Sequence, residues 1–199
     1  MNAKRSTLLT LLASAATSAV SATTVAWEAE RRSADTFRGH YFTNASFVDH
    51  TGRHVKFYDN IIQDKVVVVN MMYTACTSVC PSNTANLLNV QRALGNRMGR
   101  DVHMVSLSLL PELDSPSALR AYMQRYGVGP GWTFLTGTRG NTDIVRRRLG
   151  FYDSDPAADA DLFRHTGMVS IGNDKIDRWC MMPALTAADQ IVRSIEEIA

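Results

Sequence analysis

The residues that most constrain the fold are the continuous run Val-Val-Val-Val-Asn-Met-Met at 66–72. Such a run is typical of a strand buried on both faces, because a half-exposed strand would alternate apolar and polar residues. A second buried strand is predicted over residues 102–109, and helical periodicity lies between the two. After the second strand, Asp114-Ser115-Pro116 predicts a helix start with an acidic or hydroxyl cap and an early proline. Alternating strands and helices predict a largely parallel sheet covered by helices.

Two β-hairpins are predicted at the ends of this alternating region. Asp49-His50-Thr51-Gly52 is a turn signal, followed by alternation through Val55, Phe57 and Tyr58. Gly172-Asn173-Asp174 predicts a second turn, and an amphipathic helix over residues 186–198 follows. The order ββ, βαβαβα, ββα indicates an α/β protein with a thioredoxin-like fold. The fold has an N-terminal β-hairpin and a C-terminal β-hairpin plus helix.

The N-terminal residues predict export. Lys4 and Arg5 precede an uncharged stretch that ends with small residues, so residues 1–26 are predicted to be a signal peptide or an N-terminal membrane anchor. Residues 27–40 are polar and are interpreted as a linker, which leaves residues 41–199 as one domain. Export implies the periplasm or the outer face of the inner membrane, or the mitochondrial intermembrane space in a eukaryote.

Charge argues against a nucleic-acid partner. The formal net charge is only +2, and no stripe of lysine or arginine runs along the chain. The densest basic run is Arg146-Arg147-Arg148, which we interpret as the solvated face of a helix.

Two of the three cysteines lie directly after the first buried strand, in Cys76-Thr77-Ser78-Val79-Cys80-Pro81. Residues at i and i+4 face the same side of a helical turn, so both sulfurs can reach one metal ion or close a disulfide. We expect Pro81 at the first helical position and Cys80 near the cap, where the helix N-terminus favours a thiolate. Thiolates are soft ligands that suit copper or zinc.

A third ligand is sought among the five histidines. His165 precedes the strand of the final hairpin, in a loop that a thioredoxin fold turns toward the cysteines. The residues alone leave His165 open between a ligand and a structural role.

These motifs resemble the SCO/SenC family of copper chaperones. The resemblance is carried by Tyr73-Thr74 ahead of the two cysteines and Pro81, by Asp114-Ser115-Pro116, by the hairpin around residues 47–59 and by His165, and it covers residues 41–198. It implies a copper site made of Cys76, Cys80 and His165, with two sulfurs for Cu(I) and added imidazole for Cu(II). It also implies delivery of copper to the CuA-bearing subunit of cytochrome c oxidase. Because an oxidising compartment tends to convert such a thiol pair to a disulfide, we also expect a thiol reductase that keeps it reduced.

One departure and two alternatives remain. Relatives usually carry an acidic residue where this chain has Leu110. In the first alternative, Cys76 and Cys80 are the redox pair of an extracytoplasmic thiol-disulfide oxidoreductase, for which no other catalytic residue is predicted. In the second, a structural zinc site would recruit Cys180, which we otherwise interpret as a buried strand residue.

Overall fold

The computed structural model describes residues 41–161 and 167–199. The strands are β1 Ser46–Asp49, β2 His54–Lys56, β3 Val66–Met72, β4 Val102–Ser108, β5 Trp132–Gly137, β6 Met168–Asn173 and β7 Arg178–Pro183. The helices are α1 Val79–Leu94, α2 Pro116–Tyr126, α3 Arg139–Arg148, α4 Pro156–Asp159 and α5 Ala188–Ile198. A π-helical segment spans Phe57–Ile62, and single 3₁₀ turns span Gly95–Arg97 and Asp174–Ile176.

The strands form one seven-stranded sheet in the order β2-β1-β5-β4-β3-β6-β7. β3, β4 and β5 run parallel, while β1, β6 and β7 pair antiparallel to their neighbours. β3 is paired on both sides, with Val66 opposite Val102 of β4 and Asn173 of β6, and it is almost wholly buried. The predicted thioredoxin-like α/β fold with a hairpin at each end is confirmed.

Hydrogen bonds join α1 to α2 and to the segment that precedes α5. The Thr84 hydroxyl of α1 lies 2.8 Å from the Tyr122 hydroxyl of α2. The Asn86 amide of α1 donates to the carbonyl oxygens of Ala184 and Thr186, at 2.8 and 2.7 Å, and so fixes the entry to α5. The middle of α1 is therefore held against the C-terminal part of the chain.

The first hairpin ends earlier than its alternation predicts. β2 stops at Lys56, and the next residues form the π-helical segment. Its buried residues are Phe57, Tyr58, Ile61 and Ile62, a spacing that places one helical face on the core and that no strand could bury together. The prediction of a strand through Tyr58 is wrong for this reason.

The second hairpin turns later than predicted. Gly172 and Asn173 are the last residues of β6, and Asp174–Ile176 makes the turn. Gly172 is needed for packing, because the Trp179 ring of β7 occupies the space where a β-carbon would project. Trp179 in turn packs on Phe42, with ring centroids 4.8 Å apart. Gly172, which the sequence suggests as a turn residue, therefore leaves the space that the Trp179 ring fills.

The basic run of α3 is not a solvated face. The Arg146 side chain is only 8% exposed and makes a two-bond ion pair with Asp159, at 2.7 and 2.8 Å. Arg147 also donates to Asp159 at 2.5 Å, while Arg148 lies over the Tyr41 ring. The interpretation of this run as solvated is therefore wrong for Arg146, whose charge fastens the acidic segment that includes α4.

The predicted leader at residues 1–26 and linker at 27–40 lie outside the described residues. Within residues 41–161 and 167–199, no helix combines the length and apolar character that a bilayer crossing requires.

Candidate metal centre

Cys76 and Cys80 lie where β3 passes into α1, at the carboxyl ends of the parallel strands. The Cys76 amide donates to the Tyr73 carbonyl at 3.2 Å, which closes a tight turn directly after β3. α1 begins at Val79, so Cys80 is its second residue and Pro81 its third. The prediction of Pro81 at the first helical position is wrong by two residues. The later position is still compatible with proline, because amides of the first helical turn have no partner within the helix.

The sulfur of Cys76 takes the place of a capping side chain. Ser78 precedes α1, but its side chain makes no capping hydrogen bond. Instead the Cys80 amide donates to Cys76 Sγ at 3.4 Å, and the Ser78 amide also contributes. Cys76 thus satisfies helix-start donors that an Asp or Ser side chain would otherwise accept. The predicted convergence of the two cysteines on one point is observed.

These donors favour the Cys76 thiolate. Burial raises the pKa of Cys76, but hydrogen bonds from the Cys80 thiol, the amides of Cys80 and Ser78, and the Tyr73 hydroxyl outweigh it and lower the pKa below the usual thiol value. Cys76 and Cys80 are 6% and 1% exposed. A buried sulfur pair with one thiolate matches the chemistry that a soft metal ion requires.

Tyr73 contacts the Cys76 sulfur, a role that the sequence analysis did not predict. In the sequence it is only part of the motif ahead of the cysteines, whereas in the structure its side chain is buried and bonds to Cys76. Burial, followed by the bond to Cys76, raises the pKa of Tyr73 to about 12, so its hydroxyl stays protonated and donates. The charge of Asp161 also raises the pKa of Tyr73. The acidic segment that ends at Asp161 therefore acts on a residue of the candidate centre.

His165, the third predicted ligand, lies outside the described residues, which stop at Asp161 and resume at Gly167. Within residues 41–161 and 167–199, no group of three His, Cys, Asp or Glu side chains is arranged to hold a metal ion. His103 lies near the start of β4, at the opposite end of that strand from the cysteine turn. The described part of the chain therefore contributes two sulfurs to the candidate centre.

Cys180 lies in β7 opposite Ile171 of β6 and is half-buried. Burial, together with the charge of Glu197, raises the pKa of Cys180, so it is held as a thiol. Cys180 lies in a strand as predicted, but it is half-buried rather than buried.

A family model described as SCO1/SenC matches residues 30–199. The SCO1 protein homolog of Bacillus subtilis (strain 168) is 29% identical over 93 residues, which cover 46% of this chain and 47% of that protein. The match thus spans about half the length of that relative.

Solved structures show the same fold. A SCO1/SenC family lipoprotein from Bacillus anthracis str. Ames has a TM-score of 0.63 and 23% identity, covering 77% of this chain and 91% of its own. Arabidopsis thaliana ScoI with copper bound has a TM-score of 0.60 and 19% identity, covering 77% and 94%. BsSco, described as a member of the Sco family of cytochrome c oxidase assembly proteins with a disulfide switch, has a TM-score of 0.59 and 21% identity, covering 76% and 89%. The family model spans nearly all of the described fold and both cysteines, and this chain belongs to the SCO1/SenC family.

Proposed function

We propose that this protein binds one copper ion through Cys76, Cys80 and His165 and delivers it to the CuA centre of cytochrome c oxidase during assembly. The observation that carries the proposal is the position of the two sulfurs, with Cys76 accepting from the Cys80 amide at the start of α1. The names of its relatives support the cargo and the destination, since Arabidopsis ScoI is a copper-bound structure and BsSco belongs to a family of oxidase assembly proteins.

The site suits a transferable ion. The lowered pKa of Cys76 lets one sulfur bind as a thiolate near neutral pH, and two sulfurs satisfy Cu(I). Addition of the His165 imidazole provides a third donor for Cu(II). Release to the partner follows by exchange of these sulfurs for the partner's thiolates, one ligand at a time.

The proposal places the protein outside the cytoplasm, with residues 1–26 as its export signal or anchor. An oxidising compartment converts a neighbouring thiol pair to a disulfide, which cannot bind copper in this way. We therefore include a thiol reductase among its partners, with the CuA-bearing subunit as the recipient.

A second candidate function is thiol-disulfide exchange, which the lowered pKa of Cys76 favours. Against it, the C-x-x-x-C spacing of Cys76 and Cys80 is one residue longer than the C-x-x-C spacing of disulfide oxidoreductases. Exchange is therefore the weaker candidate.

Copper stoichiometry of the reduced full chain tests the proposal. We expect one copper per chain and thiolate-to-copper charge-transfer bands after addition of Cu(II). Cys76→Ser and Cys80→Ser should lose both, while His165→Ala should weaken binding and leave reductase activity intact. Cys180→Ser is the matched control, because this half-buried thiol lies in β7 and should leave binding unchanged. Unchanged affinity in Cys76→Ser would refute the proposal, and copper-free protein with a readily cycled disulfide would favour the oxidoreductase.

A further inference from the structure

Asp114 is a fully buried carboxylate at 0% exposure, located just before the cap of α2. Acidic side chains are rarely buried unless they are well bonded. Its own amide donates to the Leu110 carbonyl at 3.0 Å, so the turn between β4 and α2 presents the carboxylate inward. The sequence indicated only that this residue precedes a helix.

The hydrogen bonds to this carboxylate come from the ends of β3 and β4, beside the metal centre. The Thr74 amide lies 3.2 Å from both carboxylate oxygens, and the Thr74 hydroxyl donates to one of them at 2.5 Å. The Ser108 hydroxyl donates to the other oxygen at 2.5 Å and accepts from the Leu110 amide at 3.0 Å. Asp114 therefore ties the turn after β3 to the end of β4.

This connection reaches the cysteines through two residues of backbone. Thr74 directly follows Tyr73 and precedes Cys76 by two residues. Tyr73 contacts Cys76 twice, because its hydroxyl donates to the Cys76 sulfur and its carbonyl accepts from the Cys76 amide. Fixing both the amide and the hydroxyl of Thr74 fixes the path of this turn. That path sets the 3.4 Å contact between Cys76 Sγ and the Cys80 amide.

We propose that Asp114 is the positioning residue of the cysteine pair, holding Cys76 against the start of α1 through Thr74. Its carboxylate is buried between the turn after β3 and the end of β4. The consequence for copper affinity rests on the proposed function, whereas the consequence for the reactivity of the thiols does not.

The test compares Asp114→Ala with Asp114→Asn. The carbonyl oxygen of asparagine still accepts from Thr74. Its NH₂ group replaces the second carboxylate oxygen and donates to the Ser108 hydroxyl oxygen. Asp114→Ala leaves the Thr74 and Ser108 donors without an acceptor. In Asp114→Ala we expect iodoacetamide to alkylate the cysteines roughly tenfold faster at a pH above the usual thiol pKa, where ionisation no longer limits the rate, because the turn opens locally. Cu(I) affinity should fall by about 10- to 100-fold, as for other groups that orient ligands, and Asp114→Asn should restore both to within about threefold.

Asp174→Ala is the matched control. Asp174 is also a buried carboxylate that accepts from a backbone amide and a hydroxyl, those of Asp64 and Tyr58, at 2.9 and 3.4 Å. It directly follows Asn173, the residue opposite the first residue of β3, so it lies at the far end of that strand from the cysteines. The Asp174→Ala substitution should lower the free energy of unfolding and leave the rate of alkylation and the charge-transfer bands unchanged.

The inference is overturned by wild-type alkylation and affinity in a folded Asp114→Ala variant, or by the same changes in Asp174→Ala. If Asp114→Ala does not fold, Thr74→Val removes the hydroxyl bond alone and should produce a smaller change of the same sign. No change in a folded Thr74→Val protein would equally overturn it. A wild-type chain that binds no copper contradicts the proposed function, while the alkylation rates still decide the role of Asp114.

Discussion

At the scale of single residues, the candidate site depends on which atom accepts the hydrogen bonds at the start of α1. The Cys76 sulfur does so in place of Ser78, and the bonds hold the pKa of Cys76 below the usual thiol value although burial acts to raise it. The sequence pointed to Cys80 as the residue at the helix start. The structure instead assigns the anion-stabilising contacts to Cys76, four residues earlier.

Tyr73→Phe is predicted to slow the alkylation of Cys76 at neutral pH by roughly threefold, because a hydrogen bond to the thiolate is lost. Without this donor the pKa of Cys76 rises, so a smaller thiolate fraction is present below it. The pH dependence of the alkylation rate, measured in a Cys80→Ser and Cys180→Ser background, checks this.

Tyr58→Phe is the control for that experiment, since Tyr58 is a buried tyrosine whose hydroxyl donates to Asp174 rather than to a cysteine. A pH profile that shifts equally in both variants would contradict a specific role for the Tyr73 hydroxyl.

At the scale of elements, the acidic segment after α3 is held by one buried ion pair. Asp159 accepts two bonds from Arg146, one from Arg147 and one from the Asp153 amide. Arg146 also donates to the Phe151 carbonyl at 3.0 Å. These bonds fold the segment back onto α3, and the same segment continues to Asp161 beside Tyr73.

Asp159→Ala is predicted to lower the free energy of unfolding by about 3–5 kcal/mol, because it leaves the Arg146 guanidinium buried without its carboxylate. Arg146→Met combined with Asp159→Ala should recover part of this loss, since both charges are then absent. Urea denaturation of the three proteins measures it. The control is Asp189→Ala, which removes an exposed ion pair with Arg193 and should change stability little. Equal losses in the two alanine variants would contradict this account.

The same pair predicts a pH dependence. The bond from Arg146 lowers the pKa of Asp159, against the opposing effect of burial. A carboxylate with a lowered folded-state pKa contributes its full stabilisation above its unfolded pKa, near 3.8, and loses it as the pH falls toward the folded value. Stability differences between wild type and Asp159→Ala should therefore shrink in acid below about pH 4.

At the scale of the whole molecule, the metal centre joins parts of the chain that must all be folded at once. The turn after β3, the end of β4 and the start of α2 meet at Asp114, and α1 is fixed to the entry of α5 by Asn86. An ion bound at the cysteines therefore stabilises the folded chain as a unit, because the unfolded chain lacks the converged site.

Copper binding to the reduced full chain is predicted to raise the melting temperature by roughly 10 °C at a free concentration about 1,000 times the Kd, equivalent to about 4 kcal/mol. Thermal unfolding followed by circular dichroism measures it. Cys180→Ser should keep the rise and Cys80→Ser should lose it. Magnesium should have no effect, because it prefers oxygen ligands. A rise of the same size in Cys80→Ser would contradict binding at this site.

The sequence by itself determined the elements whose signal is local. Val66–Met72 is a buried strand because its side chains are apolar without alternation, and Ser115 with Pro116 starts a helix because one caps it and the other has the required φ. The chemistry at Cys76 and Cys80 was likewise readable, since thiols four residues apart share one face.

Only the tertiary structure decided which polar groups are buried and what they bond to. Asp114 and Thr74 are 40 residues apart, Arg146 and Asp159 are 13 apart, and Trp179 lies over Gly172 across a strand pair. From the neighbouring sequence alone, Asp114 is interpreted as part of a helix start, Arg146 as a solvated charge and Gly172 as a turn glycine. The true role of each residue depends on a partner that is distant along the chain, and the free energy of burying a charge or a ring is set by that partner rather than by local periodicity.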